Sequence, residues 1–586
     1  MEQILWSLKA RDHFTLAWPI IIGIVLGLIL YNFDILTIAI LRAWQGLIRG
    51  DGSYCKFTPM PKGQGKRPTA LVIIPSLLRN MEDYNSYINS IESCAKNEYP
   101  DELTIVVSVD GSEENPKLFQ NLKDWIKAQS YPNNVRVRVC HNKVRLGKIM
   151  AVEKGFQYMK SLVAAGEYTE VPTLYFSVDA DSTLSENALE RLASRIMTPH
   201  PITKNLRRAV AGQTCVHMHE FWQGWKKYFT IQGQIYLSTA RQYLFYGMYR
   251  YNYNILPFIS LPGPLYCTWS YVMLEAPHYM GYLQRIKLVD FFKWWVGVPC
   301  PTYKGHEEKP LAESLGGNTD DTAVSIVLSI TSWRNGKLVF EQPRTPLHAF
   351  GRMLWAWFVE RSLDYDPDAK VWTYTPSTIK GLWSQRTRWN SCRVECAGRY
   401  FKAFLFHWNV AFPYMFQLAK VIFIVLRGVI VFGLLPFVLF GNIGIVATMI
   451  MGFTVSVISC VIYTLVALAL DSERRKFWRM IFAVPFDGIY SLVFGFATAS
   501  NGVIKDIFGY GINTRFIPEE TLIIGRSQRI AIAYRVRRFI TMCIRSIRYA
   551  DVPYGSWWFG FRENLPYVQS GYKGWTSGKK KHYLIP

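Results

Sequence analysis

Charge is in short supply in this chain. Asp, Glu, Lys and Arg make up 19% of its 586 residues, below the roughly 25% usual for soluble domains. Acids are the scarcer kind, 43 against 66 bases, for a formal net charge of +23. The ten cysteines include no CxxC pair. Cys392 and Cys396 stand one helical turn apart without a second ligand pair, which argues against a structural zinc site. Thiols scattered in this way fit a reducing, mostly cytoplasmic setting. His217 and His219 form an HxH that reads as ordinary strand or loop histidines.

Long apolar runs, by contrast, are present. Ile443–Leu470 is 28 consecutive residues without a charge, and a membrane span needs only about 20. It is expected to be a transmembrane helix, and Val421–Phe440 a second one. Phe14–Tyr31, preceded by Lys9 and Arg11, has no small-residue cleavage site after it and reads as a retained anchor. Ile35–Ile48 is short and carries Arg42, so an interfacial extension and a further span are both open. Phe477–Phe508 is apolar but broken by Pro485, Asp487 and Gly488, and residues 526–548 form a basic amphipathic stretch suited to a membrane surface. Positive side chains gather on the cytoplasmic side of spans and attract anionic lipid. That accounts for the basic excess more simply than a nucleic-acid partner. Three spans after an internal domain would leave the basic tail outside, against the positive-inside tendency. Either Phe477–Phe508 is re-entrant or another segment crosses.

Between the apolar ends lies a different texture. Residues 50–67 read as a polar linker. Thr69–Ile74, Leu103–Val109, Val135–Cys140 and Leu174–Val178 are apolar strand-like runs, separated by helical stretches such as Asp83–Lys96 and Pro116–Gln129. Strands alternating with helices predict an α/β domain with a mainly parallel sheet. Ligands of such sheets bind beyond the carboxyl ends of the strands.

Five clusters stand at or near such places. Asp110-Gly111 follows the second run. Its carboxylate can accept hydrogen bonds from a base or ribose, and an ordinary β-turn is the plainer alternative. Asp179 and Asp181 end the fourth run at spacing two. Hard oxygen ligands of this kind hold Mg2+ or Mn2+ together with phosphates, or else Asp181 merely caps a helix. Arg145-Leu-Gly-Lys148 follows the third run, and a lysine there can reach a phosphate or stay solvated. Gly316-Gly-Asn-Thr-Asp-Asp-Thr322 leads into the apolar Ala323–Ile330. Asp321 there is a candidate base for a hydroxyl proton, with helix capping as the alternative. Gln385-Arg-Thr-Arg-Trp389 offers hydrogen bonds, a bidentate guanidinium at Arg388 and a stacking face at Trp389, or else a basic aromatic segment at an interface.

Taken in order, these residues resemble the D, DxD, TED and QxxRW series of the processive family-2 glycosyltransferases, the cellulose, chitin, hyaluronan and alginate-type synthases. The resemblance covers about residues 68–510. It implies a GT-A-like cytoplasmic domain fused to an α-helical transmembrane region. The domain boundaries it suggests are an anchor at 1–49, a linker at 50–67, and a glycosyltransferase domain at 68–400 with inserts near 275–312 and 344–368. Interfacial and transmembrane helices forming a channel would occupy 401–510, and a basic amphipathic segment and tail 511–586.

By the same likeness, Pro75, Asp110, Lys148, Asp179 and Arg388 would bind the nucleotide and diphosphate, and Asp179 and Asp181 the metal, Mg2+ or Mn2+. Asp321 would be the general base, and Gly263, Asp320, Gln385 and Trp389 would hold the acceptor. The expected partners are a UDP- or GDP-linked sugar, a nascent polysaccharide and membrane lipid, with accessory export proteins or a second copy of the chain also in view. The expected location is the plasma membrane, the inner membrane if bacterial, multi-pass, with the catalytic domain cytoplasmic. Asp320 stands where the family has Glu, the opening loop Ile74–Asn80 lacks the usual Asn-Glu, and the tail lacks the RxxxR and DxSxxG of a PilZ module. An enzyme that adds one sugar to a lipid carrier and stops is the alternative.

Overall fold

Strand β1 (Ala70–Ser76) is buried along its whole length. Helix α1 (Met81–Ala95) starts where the Asn80 side chain accepts a hydrogen bond from the Asp83 amide at 2.8 Å. Strand β2 (Leu103–Asp110) runs into Gly111, whose φ of 74° is left-handed and suits glycine. Helix α2 (Pro116–Ala128) has Asn115 as its cap and proline in its first turn. Strand β3 (Val135–Asn142), helix α3 (Lys148–Ala164), strands β4 (Leu174–Val178) and β5 (Ser182–Leu184), helix α4 (Ala188–Met197), strand β6 (Ala209–Val216), helix α5 (Ile231–Asn252) and strand β7 (Leu265–Trp269) follow. Then come helices α6 (Ser270–Arg285), α7 (Leu288–Trp295) and α8 (Asp320–Ser329), a hairpin of β8 (Thr331–Arg334) and β9 (Lys337–Phe340), and helix α9 (Pro346–Phe358). Strand β10 (Leu363–Thr373) and helices α10 (Ile379–Arg399), α11 (Phe401–Phe406) and α12 (Gly495–Ile507) complete the elements. This computed structural model describes residues 68–143, 148–199, 203–216, 230–252, 263–286, 288–300, 320–334, 337–341, 344–358, 363–376, 378–412 and 494–507, with scattered positions between 414 and 486.

Eight strands form one sheet in the order β3-β2-β1-β4-β7-β6-β10-β5. The sheet is mixed, with four of its seven pairings parallel. β1, β2, β3 and β4 pair in parallel, as do β6 and β10, whereas β7 is antiparallel to both β4 and β6, and β5 to β10. The four strands visible as apolar runs are the ones that pair only in parallel with one another on one side of the sheet, β4 adding an antiparallel partner, β7, at its other edge.

Alternation along each central strand feeds two cores. Leu71 and Ile73 of β1 pack with Val152, Phe156 and Met159 of α3. Ala70, Val72 and Ile74 point the other way, toward Tyr87 and Ile91 of α1 and Leu192 of α4. Strands buried on both faces read as near-continuous apolar runs. Gly155 lets α3 lie close on this surface, since a Cβ there would stand 2.9 Å from Ile73.

Strand β10 carries acids into the sheet. Asp364 is buried and takes two bonds from Arg195, at 3.0 and 3.2 Å, and one from Arg207, at 3.1 Å. Asp366 faces Arg191 at 3.2 Å. A buried carboxylate is tolerated only when paired and hydrogen-bonded in this way. The last residues of the expected 344–368 insert are thus sheet residues, held beside β6.

No helix among the described residues is long and apolar enough to cross a membrane. The apolar run at residues 14–31 lies outside the described residues, as do most of those at 421–440 and 443–470, half of that at 477–508, and the stretch 526–548.

Candidate active site

The carboxyl ends of β1, β2 and β4 lie side by side, and the strand order turns back at β1, where β2 lies on one side and β4 on the other. A crevice beyond such a point is where open α/β sheets bind ligands. Pro75 is buried near the end of β1, in register with Ser108. Asp110 ends β2, is buried, and accepts a hydrogen bond from the Asn142 amide group at 3.2 Å. Ser112 and His141 Nδ1 lie 2.8 Å apart just beyond it. Burial and the neighbouring Lys123, Lys154 and Lys143 lower the His141 pKa, so this ring favours its neutral form.

Asp179 follows β4 directly. Lys148, the first residue of α3, donates to its Oδ1 at 2.6 Å. The Asp179 amide donates to the Pro264 carbonyl at 3.3 Å, which brings the Gly263–Pro264 turn against the acid. Asp181 Oδ1 receives only long contacts, 3.4 Å each, from the hydroxyls of Ser182 and Thr373. Thr373 is there because β10 pairs antiparallel with β5, setting Thr373 opposite Ser182.

Desolvation and the nearby Asp179 charge raise the Asp181 carboxyl from 3.8 to about 6, with Lys148 pulling the other way. Asp181 as a whole is nonetheless exposed to solvent. Protein crowds its carboxyl, yet one face stays open. Two adjacent acids with too few donors leave negative charge unmet, and a hard divalent cation meets that need. Mg2+ in particular binds through one or two carboxylates plus substrate phosphates, so the pair fits it. Among the described residues no group of three or more His, Cys, Asp or Glu could hold an ion.

Helix α8 begins at Asp320, so Asp320 and Asp321 open its first turn. The side chains of both, and that of Arg388, lie outside what is described. At the other end of α8, Arg208 Nη1 reaches the Leu328 carbonyl at 3.3 Å, and the Asn409 amide donates to the Ser329 carbonyl at 2.9 Å. Both satisfy carbonyls that a helix end leaves open.

Gln385 and Trp389 lie one turn apart on α10. The Gln385 side-chain oxygen is buried with no hydrogen-bond partner among the described residues. The guanidinium of the buried Arg386 stands 4.3 Å from the Trp389 ring centroid, a cation–π contact, and Tyr243 of α5 approaches the same ring at 6.3 Å. Helix α12 packs along α10 through Asn390 to Thr498 and Asn501 to Thr387, each at 3.4 Å.

The fold therefore brings Lys148, Asp179, Asp181 and the Gly263–Pro264 turn together, with Asp110 and Pro75 on adjacent strands. Asp181 is tied to β10, and five residues after β10 the chain enters α10. Sequence reasoning missed Thr373, Asn142, Arg386 and Tyr243. Only Arg386 lay inside a cluster already singled out, and nothing in the order of residues told it apart from Arg388.

Residues 72–255 match the family model described as "Glycosyl transferase family 2". That interval contains Pro75, Asp110, Lys148, Asp179 and Asp181. No curated protein matches the chain. Among solved structures, the mannosyltransferase PcManGT from Pyrobaculum calidifontis in complex with GDP-Man and Mn2+ aligns at 11% identity, over 84% of this chain and 99% of that one, with a TM-score of 0.38. GalNAc-T7 with UDP, GalNAc and Mn2+ aligns at 17% identity, over 26% of this chain and 23% of that one, with a TM-score of 0.17. Scores this low do not equate the folds. Residues 72–255, which carry these acids at the strand ends of the mixed α/β sheet, are thus similar to glycosyl transferase family 2 domains.

Proposed function

We propose that the protein is an inverting, polymerising glycosyltransferase. It extends a polysaccharide from a UDP- or GDP-linked sugar at the cytoplasmic face of the plasma membrane and passes the product through its own apolar helices. The reading rests above all on the joined cluster of Lys148, Asp179, Asp181 and Thr373, linked to the Gly263–Pro264 turn through Asp179 and to the chain leading into α10 through β10.

Asp110 and Pro75 take the nucleotide. Asp179 and Asp181 hold Mg2+ or Mn2+, which when bound supplies positive charge against the diphosphate. Lys148 leaves Asp179 to donate to a phosphate oxygen, and Arg388 adds a forked contact to the same group. Asp321 takes the proton of the acceptor hydroxyl as its oxygen bonds to the anomeric carbon and the bond to the diphosphate breaks. Gly263, Asp320, Gln385 and Trp389 seat the acceptor, with the Trp389 face held by Arg386 and Tyr243. A polar glycan does not cross bare hydrocarbon cheaply, which is the physical reason to join such a site to membrane helices. The net charge of +23 suits an anionic inner leaflet.

The test incubates the full chain, in nanodiscs, with a panel of labelled nucleotide sugars and sizes the product. A long polymer from at least one donor, reduced about 10²-fold or more in Asp321→Asn, is the expected outcome. A single addition would move the reading to transfer onto a lipid carrier. No turnover of any donor, or full activity in Asp321→Asn, would overturn it.

A further inference from the structure

Two short helices near the apolar part of the chain show hydrophobic faces that nothing in the described structure covers. Helix α7 buries Trp294 and turns Val289, Phe292 and Trp295 outward, followed by Val296 at 79% exposure. Helix α9 buries Ala349, Met353 and Ala356 and exposes Leu347, at 80%, with Phe350, Leu354 and Trp355. At eight and 13 residues, neither approaches the ~20 needed to span a bilayer.

Both helices are fastened to one place. Phe291 and Trp294 of α7 stack edge-on against Phe406, with ring centroids 5.5 and 5.2 Å apart, and Trp295 meets Trp408 at 5.7 Å. On α9, Arg352 binds Glu341 at 2.7 Å. The Glu341 carbonyl accepts from the Tyr279 hydroxyl, which lies 3.1 Å from His407 Nε2. Residues 406–408 are thus the common footing. Every described position from 408 to 429 is helical, and Phe412, Met415, Ile422, Leu426 and Val429 form an exposed apolar row at helical spacing. Both α7 and α9 are thus anchored where this row begins.

We propose that α7 and α9 form an interfacial collar, their outward faces seated in the headgroup region of a lipid bilayer around the point where residues 408–429 enter it. This rests on the membrane reading given above and adds to it a second, shallow contact made by the catalytic domain itself. A bilayer suits these faces better than a protein partner for two reasons. They are anchored at the start of an apolar row longer than a single docking groove. They also mix Trp and Phe with the exposed Lys293, the composition that settles at the boundary of hydrocarbon and headgroup. The collar would fix the height and tilt of the sheet domain over the membrane.

An environment-sensitive fluorescent amino acid placed singly at 292, 295 or 347 in the full chain, reconstituted into vesicles with anionic lipid, tests this. Position 429 reports the helix, and position 127 on α2, which packs in the other core, is the water-exposed control. Lipids brominated near the headgroup should quench 292, 295 and 347, lipids brominated deep in the chain should quench 429, and 127 should respond to neither. Quenching at 429 alone would overturn the collar while leaving the membrane reading intact. Absence of quenching at 429 as well would remove both. Protection of 292 and 347 from aqueous iodide without quenching by any brominated lipid would mean that protein covers these faces, and would also overturn the proposal.

Discussion

The Asp181 carboxyl offers the sharpest single measurement. Its pKa near 6, against an ordinary 3.8, comes from desolvation and the charge on Asp179. A raised acid pKa means that the apo site holds a proton where a free carboxyl would not. A divalent cation must displace that proton, so metal binding weakens as pH falls. With a pKa near 6 the ionised fraction is about 0.9 at pH 7 and about 0.1 at pH 5, so the apparent affinity for Mn2+ should drop about tenfold, or ~1.4 kcal/mol. An unperturbed Asp would change it by less than a tenth over the same range. The same proton reverses the usual acid effect on folding. Between about pH 4 and 6 the folded metal-free site binds more protons than the unfolded chain, so this group's contribution to stability declines as pH rises through that window, and metal restores it. Calorimetric titration of Mn2+ into the full chain at pH 5, 6 and 7, with Asp181→Asn as the control that abolishes the dependence, decides the matter. An affinity flat from pH 5 to 7 in the wild type would refute the reasoning.

Other outcomes follow from the same geometry. Lys148→Met removes the partner of Asp179 and the expected phosphate contact, and kcat/KM for the donor should fall about 10²-fold while the fold, read by circular dichroism, stays intact. Asp364→Asn leaves Arg195 and Arg207 with an uncompensated buried charge, and chemical denaturation should show a loss of ~3–5 kcal/mol. Gly212→Ala would place a Cβ 2.6 Å from the Ala369 carbonyl and 2.9 Å from Leu265, so a destabilisation of about 1–3 kcal/mol is expected. Arg386→Leu takes the cation from beneath Trp389. If that contact positions the ring for the acceptor, acceptor KM should rise with donor KM unchanged, and Arg386→Lys should restore part of it.

Much of the sheet was legible because the central strands are buried on both faces. Such strands are apolar along most of their length, and β1, β2 and β4 announce themselves by it. Their ends were legible for the same reason, since Asp110, Asp179 and Asp181 stand out against what precedes them. Strand β10 was hidden because Leu363-Asp-Tyr-Asp-Pro-Asp reads as a polar loop. Its acids are acceptable in a sheet only because Arg191, Arg195 and Arg207, more than 150 positions away, are there to meet them. Strand β7, Leu265-Tyr-Cys-Thr-Trp269, runs straight into α6 with no turn residue to mark its end, and without it the antiparallel half of the sheet cannot be inferred. Thr373 is hidden twice over, since its contact with Asp181 exists only through the pairing of β5 with β10. That Arg386 lies over the ring of Trp389 depends on which way its side chain turns, and spacing does not encode it.

Helix α8 is ten residues long, a rod of about 15 Å. One end opens on Asp320 and Asp321. The other is gripped by Arg208, which precedes β6, and by Asn409, which begins the helical stretch leading toward residue 429. A rod held at its foot by two parties transmits whatever relative motion they undergo. If the segment that begins at residue 408 shifts against the sheet, the opposite tip of α8, where Asp320 and Asp321 stand, pivots with it. Two distant parts of the chain are in this way geared to one helix tip.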